Sequence, residues 1–388
     1  MRTLTLPIQA GRLTLTIRRE ELPLEACVTV ATRQNPRRLY LFVSKVLGKH
    51  WPVRPRLMRE VHARLAAKIA DLPGPLLVIG MAETATALGR GVAEEAARRT
   101  GRDDILYLQT TRYRLSRPLA FDFDECHSHA PDHAVYLPDP ALQPLFRAAR
   151  TLVLVDDEIT TGRTLVELAR ACLRLNPDIE QVALACITDW LSAARRLELA
   201  ALLQRPLLFP TLIEGSFQFE ADPEFPPPVL PPVVASPDRG HDGLVADPAR
   251  TGIIAGRWRL PWLIDSFSLW ERVGVRELDG LRDQPLVVIG TGEYAYTPYR
   301  IALALEEEGY DVCYQSTTRS PILPGDAIAS RREFPDNYGD GIANYLYNLD
   351  LARLPVVIYE HPAMLATHPL PGLIGGLALA TEEPCHAS

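Results

Sequence analysis

Cysteine is scarce. Cys27, Cys126, Cys172, Cys186, Cys313 and Cys385 are the only six among 388 residues, and no two form a Cys-x-x-Cys pair. That argues against a disulfide framework or a zinc cluster as the organising device. Cys172 and Cys186, set in apolar runs, read as buried free thiols of a reducing compartment. No apolar run approaches the roughly 20 residues that cross a bilayer. The opening Met1-Arg2-Thr3-Leu4-Thr5-Leu6-Pro7 lacks a basic region followed by an apolar one, so a cytoplasmic, membrane-free protein is expected. Basic charge is not in excess either. Lys and Arg total 41 against 48 Asp and Glu, a net charge of -7, and no nucleic-acid partner is expected from such a field. A Gly-x-x-x-x-Gly-Lys-[Ser/Thr] loop is missing, as is a strand leading into Gly-x-Gly-x-x-Gly.

Proline is abundant, with 34 residues, and it clusters in the stretch 222–243. Proline fixes φ and removes a donor, so this stretch reads as an extended connector. The expected division is 1–218, a linker over 219–248, and 249–388. In the first part, strand signals at 75–80, 104–108, 151–155 and 181–187 alternate with helix signals at 85–99 and 164–175. Apolar strands between helices imply an α/β fold with a parallel sheet covered on both faces, which binds ligands at the carboxyl ends of its strands.

The chain also echoes itself. Pro75-Leu76-Leu77-Val78-Ile79-Gly80-Met81-Ala82-Glu83 resembles Pro285-Leu286-Val287-Val288-Ile289-Gly290-Thr291-Gly292-Glu293. About thirty residues later come Thr110-Thr111-Arg112 and Thr317-Thr318-Arg319, then the strands at 153–157 and 356–360. Three features in one order at similar spacing predict that the C-terminal part is a diverged copy of the first, with a related strand order.

The segment richest in chemistry is Val153-Leu154-Val155-Asp156-Asp157-Glu158-Ile159-Thr160-Thr161-Gly162-Arg163-Thr164. A strand delivers two adjacent carboxylates to its exposed end, and a Thr-Thr-Gly turn then opens a helix. Turn amides and the helix N-terminus cradle an anion, and glycine lets the backbone come close. Carboxylates beside a phosphate cradle suit ribose hydroxyls or a ligand-borne Mg²⁺, so the pattern fits a sugar phosphate.

This segment closely resembles the phosphoribosyl-pyrophosphate (PRPP) motif of type I phosphoribosyltransferases. The resemblance implies that Asp156 and Asp157 contact the ribose hydroxyls and help hold Mg²⁺, and that Thr160, Thr161, Gly162, Arg163 and Thr164 wrap the 5-phosphate. Arg163 is a less usual occupant of its position. The family's pyrophosphate loop maps to Gly80, Met81, Ala82, Glu83 and Thr84. Its catalytic loop maps to 110–133, with Arg112, Glu125, His127 and His129 as candidate catalytic residues. As a metal site, the His127/His129 pair beside Cys126 is poor for zinc.

Over most of the chain, Arg33-Gln34-Asn35-Pro36-Arg37-Arg38, Lys45, Gly48-Lys49-His50 and the segments above are similar to the phosphoribosyltransferase of tellurium-resistance-type gene clusters. Its companion TRSP domain is named for a motif that stands here as Thr318-Arg319-Ser320-Pro321. The resemblance implies transfer of phosphoribose from PRPP-Mg²⁺ to an unknown nitrogenous acceptor base. A PRPP-sensing regulator and nucleotide phosphorolysis or hydrolysis are the alternatives, and a homodimer is compatible with all three. Where the first part has Asp156-Asp157, the second has Tyr359-Glu360-His361-Pro362 with no Thr-Thr-Gly after it, so PRPP is not expected there. Gly290, Thr291, Gly292, Glu293, Thr317, Thr318, Arg319 and Ser320 instead form a candidate pocket for another anion, with Arg319 as its fork.

Overall fold

The structure is a computed structural model that describes residues 1–123, 133–229, 241, 244–245, 247–256 and 282–381. The candidate residues Glu125, His127 and His129, with Cys126 and Cys385, lie outside the described residues, as does most of the proline-rich stretch. Cys27, Cys172, Cys186 and Cys313 are buried free thiols. Among the described residues, no helix is long and apolar enough to cross a membrane.

The N-terminal half opens with β1 (Arg2–Ile8), β2 (Gly11–Glu20), a short α1 (Leu24–Cys27), and the β3 (Val28–Thr32)/β4 (Tyr40–Ser44) hairpin. Then come α2 (Pro55–Ile69), β5 (Leu76–Gly80), α3 (Thr86–Thr100) and β6 (Ile105–Gln109). A second hairpin, β7 (Leu119–Phe123) and β8 (His133–Tyr136), leads through α4 (Gln143–Arg147) to β9 (Thr151–Ile159) and α5 (Arg163–Leu175). The half ends with β10 (Gln181–Asp189), α6 (Ala193–Leu203), β11 (Leu207–Leu208) and β12 (Thr211–Ala221).

Five strands pair in parallel in the order β6-β5-β9-β10-β12, with β2 and β1 added antiparallel beyond β12. β5, β6, β9 and β10 are largely apolar because helices cover both faces. All of Leu76–Gly80 is buried, and so is Thr151–Val155. The chain leaves β5 toward β6 and returns on the other side to β9. The gap between the carboxyl ends of β5 and β9 is therefore the sheet's switch point, the place where such sheets bind ligands. α5 buries Leu165, Val166, Leu168, Ala169, Ala171 and Cys172 along one face, the 3–4 spacing of an amphipathic helix.

β9 outruns its apolar signal by four residues. Its pairing with β10 continues to Ile159 opposite Asp189, so Asp156, Asp157 and Glu158 are held on a strand rather than in a turn. β13 (Ile253–Ile254), beyond the proline stretch, pairs antiparallel with β6 and closes that edge of the N-terminal sheet.

The C-terminal half contains β14 (Leu286–Gly290), α7 (Tyr296–Glu307), β15 (Val312–Ser316), the β16 (Arg331–Pro335)/β17 (Ala343–Tyr347) hairpin, β18 (Leu354–Tyr359) and β19 (Leu377–Ala380). Its sheet runs β15-β14-β18-β19, all parallel, which repeats β6-β5-β9-β10. The registers match as well. Gly80 lies opposite Gln109 and Val155, and Gly290 opposite Ser316 and Ile358. In each copy an antiparallel hairpin stands between the second and third strands. The related strand order expected from the internal echo is present.

α2 and α3 pack on α7. His62 meets Tyr299 at 5.2 Å between ring centroids, and the Arg90 guanidinium lies 4.6 Å from the centre of the Tyr296 ring. Met58 and Ala87 share one core with Tyr294, Tyr299 and Ile301, so the halves are joined by a common hydrophobic seam.

α3 reaches β5 closely enough that a Cβ built on Gly89 would stand 2.7 Å from Gly80 Cα. Alanine raises helix propensity by up to ~1 kcal/mol, but overpacking against immovable backbone costs about 1–3 kcal/mol. Gly89→Ala should therefore lower the urea midpoint at unchanged slope; an equal or higher midpoint would contradict this packing.

Candidate active site

The carboxyl edges of the two sheets face each other, and the candidate residues among the described ones collect between them. On the β9 side, the Asp157 amide donates to Asp156 Oδ1 at 3.0 Å. Burial, and next the neighbouring Glu158, push the Asp157 carboxyl up to about 7. Arg38, from the hairpin segment, donates to Glu158 Oε1 at 2.6 Å and lies over the Tyr40 ring.

Gly162 caps α5 with φ +68°, and a Cβ there would lie 2.5 Å from Leu199 Cδ1. Both the left-handed turn and the tight approach call for glycine. Thr160 and Thr164 are half-buried, while Thr161 and Arg163 are exposed. The Arg195 Nε–H holds the Thr161 carbonyl at 3.0 Å. The first amides of α5 have no acceptor within the helix and no side-chain cap.

On the β5 side, the loop Gly80-Met81-Ala82-Glu83-Thr84 is stitched to its neighbours. The Thr110 amide donates to the Gly80 carbonyl at 3.0 Å, and the Met81 amide to the Val155 carbonyl at 3.0 Å. The Ala82 amide donates to Thr110 Oγ1 at 2.8 Å, and the Ala82–Glu83 peptide is cis. Burial alone would raise the Glu83 pKa, but Lys49, Arg112 and Arg319 outweigh it and hold the carboxyl below its ordinary range.

Arg112 is fixed at both ends. Its amide donates to Glu293 Oε1 at 2.8 Å, and its Nη2 lies 3.3 Å from His133 Nε2. Arginine only donates, so Nε2 is the accepting nitrogen and Nδ1 carries the hydrogen. Nδ1 lies 3.1 Å from Thr110 Oγ1, its acceptor.

The residues expected to form a second anion pocket are largely engaged with one another and with the N-terminal half. The Thr317 amide donates to the Gly290 carbonyl at 3.0 Å, and the Gly292 amide to Thr317 Oγ1 at 2.8 Å. Thr318 pairs with Tyr345 through both backbone groups, and its Oγ1 accepts the Ser320 amide at 3.1 Å. Thr291 is fully buried. Glu293 accepts from Thr111 and Arg250 as well as from Arg112. The Arg319 amide donates to Glu83 Oε1 at 2.8 Å, and its guanidinium lies 4.7 Å from the centre of the Tyr113 ring. Arg319 thus faces the N-terminal loop across the seam.

Lys49, part of the Gly48-Lys49-His50 segment that carries the family resemblance, is 2% exposed and donates to the Gly292 carbonyl at 2.6 Å and the Thr317 carbonyl at 3.2 Å. Burial lowers its pKa, opposed by Glu83, Glu293 and Asp157. His133 and Tyr113 fall within the candidate catalytic loop without a role of their own from the sequence, and Arg250 is not singled out by it. The signal for His133 was its place at the far end of the candidate catalytic loop; Arg250 offered none, being a lone arginine after the proline stretch.

His50, beside Lys49, is 5% exposed, and burial, then Lys49, press its pKa down to about 4. A histidine depressed in the folded state contributes stability above its unfolded pKa of about 6.5 and loses it as pH falls through the folded value. Stability should therefore decline as pH drops from 6.5 toward 4, and His50→Leu should flatten part of that decline in urea titrations. An unchanged slope would place His50 in water.

Two family models match the chain. One, described as phosphoribosyl transferase, covers residues 27–216, and the other, the TRSP domain C-terminal to it, covers residues 270–373. No curated protein matches in sequence. Likeness to solved structures is faint. Adenine phosphoribosyltransferase from Giardia lamblia, complexed with 9-deazaadenine, is 16% identical over 48% of this chain and 94% of its own, at a TM-score of 0.35. Orotate phosphoribosyltransferase from Francisella tularensis is 15% identical over 40% of this chain and 66% of its own, at 0.26. Adenine phosphoribosyltransferase from Trypanosoma brucei, in complex with AMP, pyrophosphate and ribose-5-phosphate, is 13% identical over 40% and 65%, at 0.29. This chain thus spans just under two thirds of the last two. The assignment rests on the two family models, which together take in most of the sequence: the chain belongs to the transferase family in which a phosphoribosyl transferase domain is followed by a TRSP domain.

Proposed function

We propose that the protein transfers the phosphoribosyl group of PRPP to a nitrogenous acceptor and releases pyrophosphate. One juxtaposition carries this reading. Asp156 and Asp157 lie near the carboxyl end of β9, the Thr160–Thr164 turn opens the helix behind them, and the Gly80–Thr84 loop lies across the switch point. The 5-phosphate fits the turn and the helix N-terminus. The ribose hydroxyls fit the two carboxylates, and the pyrophosphate fits the side where Lys49, Arg112 and Arg319 surround Glu83.

Among the described residues, no group of three His, Cys, Asp or Glu could enclose a metal ion. Asp156 and Asp157 nevertheless suit Mg²⁺, a hard cation that takes oxygen ligands and commonly draws several from substrate phosphates. Burial and the neighbouring Glu158 raise the Asp157 carboxyl, and a cation bound there would offset that cost. Bound there with the ligand, Mg²⁺ would neutralise charge on the departing pyrophosphate. The chain's own part is positional. The turn and the carboxylates fix the sugar, Arg112 receives the leaving group, and the bond from the anomeric carbon to pyrophosphate breaks as the bond to the acceptor nitrogen forms.

Calorimetry with PRPP and Mg²⁺ tests the binding, and pyrophosphate release across a panel of nitrogenous bases tests the transfer. Replacing Asp156 and Asp157 together by Asn should weaken PRPP binding by about 1.5–3 kcal/mol for each charge-assisted hydrogen bond lost. Unchanged affinity would remove the carboxylates from the site. Binding without release by any base would favour the sensing alternative.

A further inference from the structure

The two strand-end glutamates are used in the same way from opposite sides. Glu83, in the loop after β5, accepts the Arg319 amide at 2.8 Å, and Glu293, in the loop after β14, accepts the Arg112 amide at 2.8 Å. Each pins the Thr-Thr-Arg turn of the other half. The turns themselves are duplicates. Thr110 and Thr317 donate their amides to Gly80 and Gly290, both at 3.0 Å. Their hydroxyls accept the Ala82 and Gly292 amides, both at 2.8 Å. Thr111 and Thr318 bond their hairpins at Ala134 and Tyr345, and their hydroxyls accept the Tyr113 and Ser320 amides, both at 3.1 Å. The two halves thus make reciprocal contacts, each pinning the other's turn.

The symmetry breaks at the acids. By register, Glu360 stands in the C-terminal half where Asp157 stands in the N-terminal half. Glu360 and Glu293 are 1% and 2% exposed, and Arg250, at 1%, joins them at 2.9 Å and 3.4 Å. The Tyr338 hydroxyl and the Asp247 amide also bond Glu360. Side chains of this chain thus fill the C-terminal copy, while Glu83, Asp156 and Asp157 keep partial exposure.

We propose that the C-terminal half is a self-filled copy serving as a built-in partner, and that its Glu293 is a positioning residue for Arg112 in the N-terminal site. The inference rests on the transferase reading above. One buried carboxylate takes both the Arg112 amide and, at 2.5 Å, the Thr111 hydroxyl, so the root of the Arg112 side chain is held from across the seam. His133 steadies its tip from the near side. A guanidinium held at both ends meets diphosphate oxygens without reorganising. Glu293 acts on the leaving group only through Arg112.

The test is a double-mutant cycle read as pyrophosphate affinity in the presence of Mg²⁺, using the full chain as wild type, Arg112→Ala, Glu293→Ala, Glu293→Gln and the Arg112→Ala pairings. Glu293→Ala should weaken pyrophosphate about tenfold, the scale of contacting pairs. Glu293→Gln, which keeps the size and one acceptor oxygen, should weaken it less. Neither should weaken it further once Arg112 is Ala, and a merely structural role would not produce that coupling. The Glu293→Gln cycle carries the same test should Glu293→Ala fail to fold. Wild-type affinity in both Glu293 variants, or losses that multiply in the double mutants, overturns the positioning role while leaving the transferase reading intact. A wild-type chain that binds neither pyrophosphate nor PRPP overturns that reading and this inference with it.

Discussion

Everything at the centre of this molecule depends on an exchange of carboxylates between its two halves. Glu293 crosses to the Thr111–Arg112 turn, and Glu83 to the Arg319 amide. Hydrogen bonds to charged acceptors are stronger than neutral ones, and a buried carboxylate left without its donors is costly. The two carboxyl edges are therefore locked face to face. Separating them would strand Glu293, which is 2% exposed, beside Arg250. The hydrophobic seam of α2, α3 and α7 brings the halves together, and the polar exchange sets their register.

That register explains where the charges lie. Lys49 reaches from the N-terminal half to carbonyls of the C-terminal loops and still faces Glu83 and Asp157. Burying an ammonium costs several kcal/mol unless it is paired and hydrogen-bonded, and two carbonyls with three nearby carboxylates offset part of that cost. The same edge geometry serves two ends. In the N-terminal copy it leaves carboxylates and cations partly exposed around the switch point. In the C-terminal copy Arg250 and Tyr338 both bond Glu360.

Much of this was legible in the sequence. The apolar strands at 76–80 and 151–155, the Asp156–Thr164 motif and the repeated Gly-x-x-Glu and Thr-Thr-Arg elements are local patterns, and local patterns survive in one dimension. β9 was read too short because its last four residues are held by pairing with β10 rather than by apolar burial. Glu83, Arg112, Glu293 and Arg319 are each singled out, Glu293 and Arg319 in one candidate pocket, yet none as a partner across the halves. Their pairing spans separations of 181 and 236 residues, which no periodicity records. Arg250 and His133 gain meaning only from neighbours that folding supplies.

The account holds that two copies of one fold share a seam, one open to PRPP and one filled by the chain itself. The stoichiometry of PRPP binding in the presence of Mg²⁺, measured by calorimetry on the full chain, tests this most directly. One PRPP per chain, abolished by changes at Asp156 and Asp157 and indifferent to Glu360→Gln, is the predicted result. Two bound molecules per chain, or one whose binding depends on Glu360 rather than on the Asp pair, would contradict it.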